Sequence, residues 1–268
     1  MRAHPAYGEL RRVTPLASVL LAENPSPMTL DGTNTWVVRA PGVAECVVID
    51  PGEQDEEHLR RVAAQGPLAL VLLTHRHHDH AGGAGRLAEL TGAPVRALDP
   101  TLVLGSEALG EGEVVEAAGC VLRVLATPGH TSDSLSFVLD GPGGSGGAAG
   151  SPAVLTGDTI LGRGTTVIAH PDGALGPYLD SLRALGELPD GTPVLPGHGP
   201  ELPDAPAAAA QYLAHREQRL DQVRSALGTL GPDATARQVV QVVYADVDRA
   251  LWPAAEWSVH AQLDYLRG

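Results

Sequence analysis

Lysine is missing from this 268-residue chain: all 18 basic residues are arginine, set against 32 Asp and Glu, for a formal charge of −14. That balance argues against a phosphate-binding surface spread over the whole protein, although not against a local site. Aromatic residues are scarce, at 3% with one Phe. The core must therefore be built from Leu, Val and Ala, and few rings are free to stack on bases. Two cysteines, Cys46 and Cys120, are far too few for a disulfide framework. Each lies beside strand-like valines and reads as a buried thiol. No apolar run reaches the roughly 18–20 residues of a membrane span. The weak apolar stretch Val13–Ala22 does not read as a signal peptide. These absences point to a cytoplasmic chain with no membrane partner.

What is present is globular: 43% hydrophobic and 19% charged residues. The length suits one large domain, or a domain with a small appendage. Trp36–Ala40 and Glu45–Gly52 are β-branched runs separated by the turn signal Pro41-Gly42. The segment EQDEEHLRRVAAQG has acids in its first turn and arginines after them, as a helix prefers. Leu68–Thr74 is a continuous apolar run, expected of a buried strand. Strand patterns recur in VLRVLATPGH, SLSFVLD, AVLTGDTILG and TPVLPGHG, and LGPYLDSLRALGEL is amphipathic and helical. The Gly/Ser/Ala stretch 141–152 reads as a long hairpin loop.

After residue 204 the pattern becomes helical, over 205–228, Thr235–Tyr244 and Ala254–Leu266. Twelve Arg face 25 acids before that point, and six face seven after it. The expected division is therefore 1–204, a strand-rich domain, and 205–268, a helical region. Trp252 and Trp257 flank Pro253 there, as core packing or as a homodimer contact.

The chemistry concentrates in Thr74–Gly83, THRHHDHAGG, which holds four of the eleven histidines just after an apolar strand. His75 and His77 point the same way in an extended segment, and Asp79 and His80 turn toward a second point as a helix begins. Imidazole and carboxylate without Cys suit Zn²⁺, and also Mn²⁺ or Fe. Further donors stand in matching strand-end contexts: His130 in TPGHTSDS, Asp158 in LTGDTILG and His198 in LPGHGP. Each alone reads as a turn or cap residue. Together they place four strand-ends on one edge of a sheet sandwich.

The order HxHxDH, PGHT, GDT, PGHG resembles that of the metallo-β-lactamase superfamily. NPSPMTLDGTNTW, GRGTTVIAH and QYLAHREQRLDQV resemble the β-lactamase-like protein 2 group. This resemblance implies an α+β, αββα sandwich with a small winged-helix-like C-terminal region and two divalent ions. His75, His77 and His130 would bind one ion, Asp79, His80 and His198 the other, and Asp158 would bridge them. Ions about 3.5–4 Å apart can hold a bridging water as hydroxide near neutral pH. Asp79 would both ligate and orient it, with no Ser or Cys nucleophile.

Asp158 disfavours a true zinc β-lactamase, which generally lacks it. His77 and the absence of a flavodoxin domain disfavour a flavodiiron protein. The complete second donor set disfavours a one-iron sulfur dioxygenase. Two substrates remain: single-stranded RNA, slightly ahead on the subgroup resemblance, and a small acyl thioester, as in thioesterases or glyoxalase II. A nucleic-acid or protein docking module with a structural metal is a weaker third reading, because structural zinc sites are usually closed and Cys-rich. Asn34 and Thr35 read as turn-setting or pocket-lining, and Thr165 and Thr166 as strand residues or pocket walls. His170 reads as a loop residue or a substrate contact, with Arg76 and His78 pointing outward. His4, His58, His215 and His260 take no metal role.

Overall fold

In a computed structural model, which describes residues 4–141 and 152–268, two sheets stack face to face between layers of helix. The first sheet contains β1 (Leu10–Arg12), β2 (Ala17–Leu21), β3 (Asn34–Val38), β4 (Cys46–Ile49), β5 (Leu68–Leu72) and β6 (Val95–Arg96), in that order. β1 to β4 pair antiparallel, and β4–β5–β6 run parallel. The parallel connections are α1 (Glu56–Ala63) and the pair α2 (His78–Ala81) and α3 (Ala84–Thr91). Such crossovers lay helices on the outer face.

The second sheet contains β7 (Val114–Ala117), β8 (Cys120–Ala126), β9 (Leu135–Asp140), β10 (Ala153–Gly157) and β11 (Val194–Pro196), with spatial order β11-β10-β9-β8-β7. β10 and β11 are parallel and joined through α4 (Leu175–Gly186). Most of the glycine-rich stretch 141–152, namely 142–151, lies outside the described residues.

Alternation along the strands decides the layers. Trp36, Ile49 and Leu72 from one sheet meet Leu122, Phe137 and Leu155 from the other in a common core. The opposite faces carry Val48 and Val71 under Leu59 and Leu87 of α1 and α3, and Val138 and Val154 under Leu179 and Leu182 of α4. Cys46 and Cys120 are buried free thiols, as expected. Among the described residues no helix is long and apolar enough to cross a membrane.

The helical extension consists of α5 (Ala205–Leu230), α6 (Ala236–Val243) and α7 (Trp252–Arg267). α5 starts where Asp204 caps the Ala207 N–H, with Pro206 in its first turn. Its first half packs Ala205, Ala209 and Tyr212 onto the α4 layer, and its second half packs Val223 and Ala226 against Val239, Val259 and Trp252. One helix thus belongs to both bodies, and packing is continuous across residue 205. Thr235 and Gln238 form a capping box that starts α6. Trp252 is buried, whereas Trp257 is 49% exposed.

Candidate metal centre

Four strand-ends meet at one edge of the sandwich. The chain leaves β5 at Thr74, stays extended through His77 (φ −58°, ψ 142°) and enters the one-turn α2. His75 and His77 therefore project together, and Asp79 and His80 project from the helix that follows. His130 follows β8, Asp158 follows β10 and His198 follows β11. The seven donors form three overlapping clusters: His75, His77 and His130; His75, His80 and Asp158; and Asp79, His80 and His198.

The nitrogens face one another. His75 Nε2 lies 3.1 Å from His77 Nδ1, which lies 2.9 Å from His130 Nε2. His80 Nε2 lies 3.1 Å from His198 Nε2, and His198 Nε2 lies 3.1 Å from Asp79 Oδ2. Spacings of about 3.0–3.4 Å are the edge lengths of a tetrahedral or octahedral shell with bonds near 2.1 Å. Asp158 stands between the two groups. Its Oδ2 is 3.7 Å from His130 Nε2, and its Oδ1 is 3.3 Å and 3.4 Å from His80 and His198 Nε2. That buried Oδ1 accepts no hydrogen bond, which is costly unless a cation satisfies it. This donor set fits two metal ions.

The outward nitrogens determine which lone pairs face in. His130 Nδ1–H donates to Val167 O at 2.6 Å, and His198 Nδ1–H donates to Gly32 O at 3.1 Å. His80 Nδ1–H donates to Asp50 Oδ2 at 2.8 Å. His75 Nδ1–H donates to Thr74 Oγ1 at 3.0 Å, and the Thr74 hydroxyl donates onward to the same Asp50 oxygen at 2.6 Å. With Nδ1 used in this way, Nε2 of His75 and His130 faces inward as an acceptor, and Nε2 of His80 and His198 would do so on giving up its proton to a bound metal. Asp50 also takes the Thr74 N–H on Oδ1 at 2.8 Å and holds a left-handed backbone, φ 53°. Sequence reasoning passed over Asp50 as part of a strand. The one available signal was its IDPG context, an acid at a strand-end before Pro-Gly, like the other donors.

Charge states follow from burial and neighbours. Burial pushes the pKa values of His75 and His130 down, and brings that of His77 to about 4, so these rings are neutral. Burial also opposes charge on His80 and His198, but Asp158 and the neighbouring acids outweigh it; His80 rises well above its usual range and His198 rises to about 9. Asp79, whose burial is offset by His80 and His198, falls to about 2. Without metal, protons on His80 and His198 balance Asp79 and Asp158, so this half of the site is built for positive charge.

Two glycines permit the close approach. At Gly157 (φ 49°) a Cβ would lie 2.5 Å from Thr74 Oγ1. At Gly197 it would lie 2.7 Å from both Asp158 Oδ1 and His80 Cε1. Asn34 Nδ2 donates to Pro196 O at 3.0 Å and Gly199 O at 2.8 Å, tying down the His198 loop, and Thr35 hydrogen-bonds the Asp50 carbonyl. Neither residue lines the main cavity.

Other expectations need correction. Thr165 and Thr166 are not strand residues; they lie in an irregular segment that walls a cavity. Arg76 does not simply point outward. It is half-exposed but paired to Asp133 at 3.1 Å and Asp172 at 3.5 Å, bracing the first motif against the His130 loop. His78 is exposed as expected. His170 is a loop residue whose Nε2 lies 2.9 Å from Asp264 Oδ2 and whose ring stacks on His260.

A cavity of about 320 Å³ opens from His130 and Asp158. It runs beneath the helical extension, past Met28, Leu30 and Leu161 to Arg216, Arg219 and Leu251.

Fold, motif order and site together define a metallo-β-lactamase-fold protein, and the chain belongs to the metallo-beta-lactamase superfamily: residues 28–198 match that family. Residues 235–267 match the beta-lactamase associated winged helix domain. The chain is 32% identical to an atrochrysone carboxyl ACP thioesterase of Aspergillus chevalieri, over 91% of this chain and 78% of that one. It is 30% identical to the beta-lactamase-like protein 2 homolog of Drosophila melanogaster, over 95% of this chain and 89% of that one. The solved structure of a beta-lactamase domain protein from Burkholderia ambifaria superposes with TM-score 0.78 at 24% identity, over 99% of this chain and 90% of that one. That similarity extends the fold correspondence through the helical extension.

Proposed function

We propose that this chain is a metal-dependent hydrolase of acyl thioesters, with residues 1–204 as the hydrolase domain and 205–268 as a helical cover. His75, His77 and His130 would hold one divalent ion, Asp79, His80 and His198 a second, and Asp158 both. The ions, when bound, would supply an acidified water and a Lewis acid for the thioester carbonyl. The donor types suit zinc, and also manganese or iron.

The chain's own groups do the rest. Four histidines are held in one tautomer by Val167 O, Gly32 O, Asp50 and Thr74. Asp79, with its pKa near 2, is a carboxylate across the working range, and Oδ2 faces into the site. It would orient the attacking water and accept a proton from it. No side-chain nucleophile is called for: both thiols are buried in strands, and burial raises both pKa values.

The observation that carries the thioester reading is the cavity opening from His130 and Asp158. Covered by the extension, it suits an acyl group better than a polymer strand. The Aspergillus chevalieri relative, an ACP thioesterase, supports the same substrate class. The net charge of −14 weighs against RNA. RNA stays in the test because of the resemblance to β-lactamase-like protein 2.

The test is direct. Metal-loaded protein is given acyl thioesters of coenzyme A and N-acetylcysteamine, with released thiol measured, and in parallel a 5′-labelled single-stranded RNA. Asp158→Ala and a chelator serve as blanks. Thiol release that vanishes in both blanks supports the proposal. RNA cutting that vanishes in both, without thiol release, replaces it with a phosphodiesterase.

A further inference from the structure

Arg216 is 3% exposed, a depth at which arginine is usually paired with an acid. Among the described residues it forms no ion pair. Its guanidinium carbon lies 5.0 Å from the Tyr178 ring centroid, and Nη2 donates to Thr166 O at 2.5 Å. Nε is buried and has no partner. One turn further along α5, Arg219 donates from Nη1 to Gln222 Oε1 at 2.8 Å and to Val243 O at 3.2 Å. It lies over the Tyr244 ring at 4.4 Å and likewise meets no carboxylate. The adjacent His215 has a buried Nδ1 with no partner. All three residues line the cavity that opens from His130 and Asp158.

The contrast with Arg163 is informative. Arg163 lines the same cavity, but its guanidinium is bound to Asp31 at 2.5 Å. The chain has 32 acids, yet among the described residues none is paired with Arg216 or Arg219. Carbonyls and ring faces stabilise these cations but do not neutralise them. A guanidinium with no carboxylate partner at the wall of a cavity is suited to an oxyanion, which it can meet with charge-assisted hydrogen bonds.

Building on the thioester reading, we propose that Arg216 and Arg219, with His215 Nδ1 beside them, form an anion subsite. It would take a carboxylate or phosphate of the substrate remote from the thioester carbonyl. The subsite is tied to the metal centre through one peptide step: Arg216 holds Thr166 O, and the next carbonyl, Val167 O, accepts from His130 Nδ1 at 2.6 Å. Anchoring the anion would therefore set where the carbonyl falls relative to His130 and Asp158. Arg216 and Arg219 act as specificity-determining residues.

The experiment uses metal-loaded protein and three thioesters: pentanoyl-N-acetylcysteamine, its glutaryl counterpart with a free carboxylate, and pentanoyl-coenzyme A. The readout is the ratio of kcat/KM for each charged substrate to that for the neutral one. The expected ratio is at least tenfold for the glutaryl thioester, if the anion is an acyl carboxylate, or for the coenzyme A thioester, if it is a carrier phosphate. Arg216→Gln and Arg219→Gln should each reduce that ratio about tenfold. A wild-type ratio near one for both charged substrates overturns the proposal. So does an unchanged ratio in the variants, since a structural role would slow all substrates alike. Should Arg216→Gln fail to fold, Arg219→Gln, nearer the surface, carries the same comparison.

Thermal melts with glutarate and with inorganic phosphate separate the two readings. If no thioester is cleaved, the thioester reading fails. A rise in Tm for wild type that is absent in Arg219→Gln would still establish the anion subsite, and no rise would remove it too.

Discussion

Asp50 Oδ2 accepts the Nδ1–H of His80 at 2.8 Å, although the two residues lie 30 positions apart and Asp50 belongs to none of the metal-binding motifs. The same oxygen takes the Thr74 hydroxyl, so one carboxylate orients His80 directly and His75 through Thr74. The other oxygen takes the Thr74 N–H, so three donors share two oxygens. An amide, with one oxygen, would turn its NH2 toward either the Thr74 N–H or the His80 and Thr74 hydroxyl donors. Asp50→Asn should therefore weaken metal binding by about 10–100-fold, the usual effect of losing an outer partner of a ligating histidine. Competition with a chromophoric chelator measures it; affinity equal to wild type would remove Asp50 from the site.

Asp158→Ala should lose one metal equivalent and most activity while unfolding stays cooperative. The basis is its two oxygens, one toward His130 and one toward His80 and His198. Metal analysis of the purified variant beside a urea melt provides the check. Two equivalents with full turnover would end the dinuclear reading.

Gly197→Ala tests the packing of the site without removing a donor. The new methyl would sit 2.7 Å from Asp158 Oδ1 and from His80 Cε1. Overpacking of this kind costs roughly 1–3 kcal/mol. The expected outcome is a folded protein with a lower urea midpoint and impaired binding at the Asp79, His80 and His198 end.

Histidines make the metal-free protein pH-sensitive in both directions. His58 is buried beside Thr35, 2.9 Å away, and burial brings its pKa to about 4. Between about 6.5, the unfolded value, and 4 the unfolded chain binds more protons, so stability falls as pH falls through that window. The loss from His58 alone is on the order of 2 kcal/mol by pH 5. His198, raised to about 9, has the opposite sign: its contribution is complete below about 6.5 and is lost as pH rises through 9. Urea melts across pH 5–9 should show a maximum near pH 6.5. His58→Gln should remove its share of the acid-side loss, the rest coming from His75, His77 and His130, and added metal should flatten the alkaline side, where the ion takes the proton's place.

The strand and helix pattern was largely legible because it is local. Apolar runs such as Leu68–Leu72 and capped amphipathic stretches such as Glu56–Ala63 record their burial in sequence spacing. That these seven side chains would meet was legible for a related reason: His and Asp at four strand-ends form a pattern rare enough to be read without contacts. For Thr165 and Thr166 the sequence left strand and pocket wall both open, because β-branched residues favour strands; the pocket-wall reading holds, and Thr166 O accepts from Arg216, 50 residues away in sequence.

By itself the sequence determined the residue types that can bind metal, their order along the chain and the alternation that makes a four-layer sandwich. Tertiary structure decided which groups became neighbours. It made Asp50 the partner of His80, turned the two oxygens of Asp158 toward opposite clusters, and placed Arg216 on a cavity wall with no ion pair among the described residues. Those outcomes depend on how separate segments fall within hydrogen-bond distance, and sequence spacing records the geometry within an element rather than between elements.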